Sequence, residues 1–176
     1  MEQSSRRDDQ RYVPNHPVHK NSEKRERTAS GTVRAVCISG ARGVPKHMIP
    51  AGELTADWGI QGDAHGGTWH RQVSLLAEES VDKMRGSGVE LPPGIFAENI
   101  LTRGINLKEL PVGTRLSAGT AELEVTQIGK ECHTDCTIRR KTGTCVMPTE
   151  GIFAVVRKSG TVRPGDAVSV INETTI

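Results

Sequence analysis

From Thr32 the chain passes from an unpatterned polar stretch into alternation, with Val33, Ala35, Cys37 and Ser39 on one side and Thr32, Arg34, Val36 and Ile38 on the other. A period of two in β-branched residues predicts a strand over 32–39. GARGVPKHM (40–48) follows as a turn into a short second strand. GELTADWGIQGDAHGG (52–67) has five glycines and little periodicity, which predicts a loop with at most short pairings. RQVSLL (71–76) is a strand, and AEESVDKMRGSG (77–88) is the one clear helix. Its acids come early, Lys83 and Arg85 come late, and Gly86 can take the left-handed C-terminal position. LPPGIFAENI (91–100) is a proline loop feeding a short strand. Two strands flank Ser117-Ala118-Gly119, the second being AELEVTQI, and GIFAVVRKSGTVRPGDAVSVI (151–171) repeats the design of strand, Gly turn, strand. Short strands joined by glycine turns predict a mainly β, antiparallel β-barrel-like fold with one or two short helices.

Composition narrows this picture. The 176 residues suit a single folded domain, and 35% hydrophobic with 3% aromatic residues means a core of Val, Ile, Leu and Ala. Residues 1–30 mix charge, Pro and Ser with almost nothing apolar, so they are expected to form a disordered tail ahead of a domain at 31–176. The net charge is +2, and the tail accounts for it with seven Lys and Arg against five Asp and Glu. A neutral body lacks the basic face that nucleic acid requires, so no nucleic-acid partner is expected. No 18-residue apolar run or secretory h-region occurs, which points to no membrane partner and a cytoplasmic location with reduced thiols.

Chemistry concentrates in GKECHTDCTIRRKTGTC (129–145), which holds three of the four cysteines. Cys132, His133, Cys136 and Cys145 have the ligand types of a structural zinc site, but their C-x3-C-x8-C spacing lacks the paired knuckles of a zinc finger. A reactive thiol is the other reading: Lys130, His133, Arg139, Arg140 and Lys141 favour a thiolate, opposed by Glu131 and Asp135. The bland alternative makes these cysteines small buried hydrophobes, and Cys37, inside a predicted strand, belongs to the core on that basis. GDAHGGTWHR (62–71) gathers Asp63, His65 and His70 among glycines that let backbone amides approach an anion, though an ordinary glycine turn accounts for it locally. Glu98 and Asn99 lie in a loop where Asn commonly bonds backbone. Walker, GxGxxG, HExxH, G-x-S-x-G and EF-hand patterns are missing from the sequence.

In this order GDAHGG (62–67), GIFAENI (94–100), VGTRLSAGTAELEVTQIGKEC (112–132) and EGIFAVVRKSGTVRPGDAV (150–168) resemble the MOSC domain, the module at the C-terminus of molybdenum cofactor sulfurases. The resemblance spans Thr32 to Ile171 and is closest to small stand-alone members. It implies a β-barrel-like MOSC fold and places the key cysteine at Cys132, with Cys136 a weaker claimant. In sulfurase-type members such a cysteine carries or delivers persulfide sulfur; in cofactor-holding relatives it ligates molybdenum. His65, Gly66 and Gly67 match the family's GD-x-HGG, and Glu98 and Asn99 its GEN.

Two departures stand out: Ala97 replaces the usual glycine, and Lys130 stands where many members have arginine. The implied cofactor is the molybdenum cofactor (molybdopterin), bound by His65, Gly66, Gly67, Glu98, Asn99, Lys130 and His133. The implied partner is a cysteine desulfurase or a molybdenum enzyme, which would make the chain a sulfur transferase or part of a molybdenum enzyme system. Pyridoxal phosphate is linked to the family through a separate desulfurase domain, and no Schiff-base lysine is identifiable in this sequence. The competing expectation is a non-catalytic zinc-stabilised interaction module built on the Cys132, His133, Cys136 and Cys145 set.

Overall fold

A computed structural model describes residues 29–86, 88, 90–132 and 137–172. Its strands are β1 (Ser30–Ile38), β2 (His47–Ile49), β3 (Gly52–Thr55), β4 (Gly59–Ile60), β5 (Val73–Ala77), β6 (Ile100–Arg103), β7 (Arg115–Ala118), β8 (Ala121–Ile128), β9 (Ile152–Lys158), β10 (Gly160–Val162) and β11 (Ala167–Val170). Three short helices accompany them, α1 (Glu78–Asp82), α2 (Thr137–Thr142) and α3 (Met147–Glu150), with a 3-10 turn at Leu107–Glu109. The expected tail falls mostly outside the described residues; Ser30 already belongs to β1, and the carbonyl of Ala29 accepts a bond from Val170 N at 2.8 Å. Among the described residues no helix is long and apolar enough to cross a membrane.

Seven strands close on themselves in the order β11-β7-β8-β9-β5-β6-β1, the ring being completed by pairing of β1 with β11, while β2 extends β1. The expectation of a purely antiparallel barrel needs correction, because β5 and β6 run parallel. Parallel neighbours need a long crossover. Here α1 and the LPPGIFAEN loop carry the chain back between the two strands. The helix content is three short helices instead of one or two, and the expected helix over 77–88 shrinks to five residues. The segment 151–171 also departs from strand, turn, strand: β9 stays in the barrel, and β10 leaves it to join β3 and β4 in a small second sheet.

Strand β1 shows why alternation alone misplaces side chains. Val33 pairs with Thr102 but Ala35 with Leu101, so Arg34 is a bulge. The extra residue reverses the phase: Val33 and Val36 both enter the barrel core, while Ala35 and Cys37 join an outer cluster. That cluster also holds Leu76, Phe96, Leu101, Ile138, Met147 and Phe153, roofed by the helices and the 91–97 loop. Because both faces of β5 are covered, all five of its residues are buried.

Closure of the ring depends on Gly31, where a Cβ would sit 2.3 Å from the Arg103 carbonyl oxygen. Gly31→Ala is expected to lower stability by about 1–3 kcal/mol, the usual cost of overpacking. Urea unfolding measures this, with Gly40→Ala as control, since a Cβ at Gly40 meets nothing within 4 Å.

Candidate functional site

The barrel register aligns five residues across its outer face: Cys37, Asn99, Ser74, Phe153 and Gln127. Cys37 N donates to the Asn99 carbonyl at 2.7 Å and Asn99 N to the Ser74 carbonyl at 3.0 Å, while Ser74 and Gln127 both pair with Phe153. Asn99 is a staple within this row. Its Oδ1 accepts from Ser74 N (3.0 Å) and Ser74 Oγ (3.1 Å), and its Nδ2 donates to the Cys37 carbonyl (3.0 Å). The side chain thus ties β1 to β5 where the parallel pair with β6 begins.

Glu98, next in the chain, is buried and turned back on its own loop. Its carboxylate accepts Gly94 N at 2.5 Å and Phe96 N at 3.1 Å. The loop is fastened to the turn before β2, since Lys46 N donates to the Gly94 carbonyl at 2.8 Å. Burial pushes the Glu98 carboxyl up to about 7, against the pull of those amides and of Lys46. Burial likewise pushes the Cys37 thiol up to about 12, with Glu98 adding and Lys46 opposing. Cys37 is therefore a core thiol, in keeping with its strand position.

The Lys46 side chain reaches the GDAHGG loop. Its ammonium bonds Asp63 Oδ1 and lies 3.1 Å from His65 Nδ1; the Lys46 and Asp63 side chains are 1% and 0% exposed. Asp63 also accepts Ser39 N at 3.0 Å on Oδ1 and His65 N at 3.1 Å on Oδ2. Burial works against ionisation of both partners. The neighbours His65, Lys46 and Ser39 nevertheless hold the Asp63 carboxyl well below its usual range, while burial pulls Lys46 downward against Asp63. His65 stacks on Trp69 with ring centres 6.3 Å apart, and Trp69 Nε1 donates to the His65 carbonyl at 2.7 Å. Gly66 permits close approach of Trp58, whose Nε1 would lie 2.7 Å from a Cβ there.

Two guanidinium groups, Arg42 and Arg71, lie 4.9 and 5.0 Å from the Trp69 ring centre, and Arg71 also lies 5.6 Å from Phe153. Arg71 Nε is buried and has no partner among the described residues. Further along this loop, His70 Nε2 lies 2.9 Å from Gln127 Oε1, and Gln127 Nε2 donates to the Gly129 carbonyl at 2.7 Å. Thr126 Oγ1 donates to the His70 carbonyl. These bonds fasten the GDAHGGTWHR loop to the end of β8, from which Gly129, Lys130, Glu131 and Cys132 run on.

Comparison with known proteins places this arrangement. The sequence profile of the MOSC domain matches residues 61–169. The chain belongs to the MOSC domain family. In fold, YuaD from Bacillus subtilis is similar over 80% of this chain and 95% of its own, with a TM-score of 0.66 and 18% identity. YiiM from Escherichia coli is similar over 82% and 72% (TM-score 0.58, 16% identity), and YiiM from Geobacillus stearothermophilus over 81% and 73% (0.57, 17%). No curated protein matches the sequence. The MOSC family is related to the molybdenum cofactor.

Within the MOSC frame, His65, Gly66 and Gly67 lie on one loop with the Lys46–Asp63 pair beneath it, and Glu98 and Asn99 are buried nearby as loop and strand fasteners. Lys130 N is tied to the Pro148 carbonyl at 3.1 Å. Cys132 is a half-buried free thiol, Cys145 is half-buried against the outer cluster, and His133 and Cys136 lie outside the described residues. Among the described residues no group of three metal-binding side chains forms. Sequence reasoning missed Lys46, Arg42, Arg71 and Trp69. Trp69 carried a usable signal, an aromatic two positions after HGG, but nothing local marks Lys46 for burial. A cleft of about 380 Å³ between α1, the 3-10 turn and α3 contains none of these residues; the Lys83–Glu150 ion pair, 2.8 Å long, lines it.

Ala97, in place of the family's glycine, has φ 63°. Ala pays about 1–2 kcal/mol in this left-handed region, partly offset by the greater freedom of glycine in the unfolded chain. Ala97→Gly is expected to stabilise the protein by roughly 0.5 kcal/mol, seen as a higher urea midpoint. For Glu98 the folded value, about 7, lies above the ordinary carboxyl value of 4.5. Its contribution is therefore fully present below about 4.5 and is lost as pH rises to about 7, by about 3 kcal/mol at most. Glu98→Gln should remove this slope in unfolding free energy against pH, whatever its effect on the absolute level.

Proposed function

We propose that this chain is a sulfur-carrier and cofactor-binding MOSC domain in which Cys132 is the working thiol. The observation that carries the reading is the His70–Gln127–Gly129 chain of hydrogen bonds, which joins the GDAHGG loop to the strand end that leads to Cys132. Cys132 is three chain steps beyond Gly129, so their Cα atoms lie within about 11 Å of each other.

In this reading the Cys132 thiolate attacks the terminal sulfur of a persulfide presented by a cysteine desulfurase. A new S–S bond forms on Cys132, the donor's S–S bond breaks, and the donor leaves as a thiolate. Cys132 then holds the transferred sulfur beside the GDAHGG loop. The residues present suit an anionic, partly planar group there: Arg42 and Arg71 bring positive charge, Trp69 brings a stacking face, and the unpartnered Arg71 Nε is a spare donor. When bound, the molybdenum cofactor would supply a metal centre that accepts soft sulfur ligands. Arg42, Arg71 and His65 would hold its anionic portion, and Cys132 would face its metal.

Incubation with a cysteine desulfurase and cysteine should add one sulfur atom to the protein, as read by intact mass, and Cys132→Ser should abolish the gain. Sulfur loading unchanged in Cys132→Ser, together with unchanged molybdenum content, would overturn the proposal. Stoichiometric zinc in protein purified without added metal, lost with unfolding in Cys136→Ser, would favour the zinc-stabilised module instead.

A further inference from the structure

The proposed site contains a buried charge pair that sulfur transfer itself does not call for. Lysine is the most strongly hydrated cation among the side chains, and it is almost never fully buried without a partner. Lys46 is buried against Asp63, and the pair has one neighbour with partial access to solvent, His65, whose side chain is 25% exposed.

We propose that Lys46 and Asp63 are positioning residues that lock His65 as its Nε2–H tautomer, so that the outer edge of the ring is a standing hydrogen-bond donor to an oxyanion ligand over the GDAHGG loop. This deepens the reading of the site given above.

Donor and acceptor inventories distinguish the two tautomers. A lysine side chain donates and an ammonium cannot accept. With Lys46 Nζ 3.1 Å from His65 Nδ1, a proton on Nδ1 would set donor against donor, so Nδ1 accepts and the ring proton sits on Nε2. The competing arrangement has Nδ1–H donating to Asp63 Oδ2, but that separation is 3.4 Å, longer than the 3.1 Å from Nδ1 to the Lys46 ammonium. Asp63 is the anchor for both neighbours. It takes the Lys46 ammonium on one oxygen, together with Ser39 N, and fixes the His65 backbone with the other.

Stacking on Trp69 and the bond from Trp69 Nε1 to the His65 carbonyl hold the ring and its backbone. Nδ1 faces the buried pair, which in this proposal leaves the Nε2 side of the partly exposed ring to meet a ligand. The ligand class follows from the surroundings: Arg42 and Arg71 flank Trp69, and among the described residues neither forms an ion pair with a carboxylate. An oxygen-bearing anion, as a free phosphate or as the phosphate of a cofactor, accepts from guanidinium and imidazole N–H alike.

Long-range proton–nitrogen correlation on histidine-labelled protein at mildly alkaline pH reads the tautomer directly, with the His65 signals assigned by their loss in His65→Gln. The expected result is a single Nε2–H tautomer in the wild type, converting to the Nδ1–H form or a mixture in Lys46→Met and retained in Lys46→Arg. A merely structural lysine would leave the tautomer unchanged. Where Lys46→Met unfolds because the Asp63 charge is stranded, Lys46→Met/Asp63→Asn removes both charges, and the ratio should move toward that of free histidine. An Nδ1–H form or a mixture in the wild type, or an unaltered tautomer without Lys46, overturns the lock.

Inorganic phosphate serves as the oxyanion probe. Millimolar phosphate should shift the His65 Nε2 proton in the wild type but not in Arg42→Ala/Arg71→Ala; a proton indifferent to phosphate overturns the ligand-facing half, and a shift that survives in the double variant removes the arginines from it. The same titration with a phosphate monoester distinguishes free from cofactor-borne phosphate. None of these readouts passes through Cys132, so failure here and failure of sulfur transfer are separately visible.

Discussion

Lys46 and Asp63 meet out of water, where neither charge can exist without the other. Desolvating both is costly, and removing one partner from such a pair typically costs about 3–5 kcal/mol. The contact therefore acts as a constraint on the segments that carry it. Lys46 comes from the turn between β1 and β2, and Asp63 comes from the glycine-rich loop after β4. The Lys46 main chain is in turn bonded to Gly94, the start of the loop that the Glu98 carboxylate closes. One buried pair thus aligns three segments that contribute nothing to one another in sequence.

The barrel supplies the platform for that alignment. Its interior is lined mainly by apolar side chains; the polar row of Asn99, Ser74 and Gln127 lies on the outer face, among strands whose register is set by ladder bonds. The parallel β5–β6 pair matters here, because its crossover delivers Glu98 and Asn99 beside β1. Asn99 completes the ladder at the junction with side-chain amide bonds alongside its backbone ones. Glu98 does the same for the loop's own amides. Both residues therefore stabilise the wall of the proposed site, for which His65, Arg42, Arg71 and the strand end before Cys132 would provide the accessible chemistry.

The legible parts of this protein were local ones. Alternation and glycine turns located most strands, and four ordered motifs carried the MOSC resemblance that the profile match over 61–169 supports. The legibility failed where a non-local partner decides. The bulge at Arg34 reverses the phase of β1 because β6 lacks a matching residue, and no pattern within β1 announces it. The helix after β5 is short because the chain must turn toward its crossover. Lys46 looked like any surface lysine until Asp63, seventeen positions away, enclosed it.

By itself, then, the sequence determined the β-rich character, the turn positions and the family, and it marked Cys132 as a candidate, since each is written in neighbouring residues or in motif order. Only the tertiary structure decided that β5 and β6 run parallel, that Glu98 and Asn99 serve the loop and the ladder, and that a buried lysine stands behind His65. Those features depend on which segments become neighbours after folding, and burial, desolvation and hydrogen-bond pairing exist only once they do.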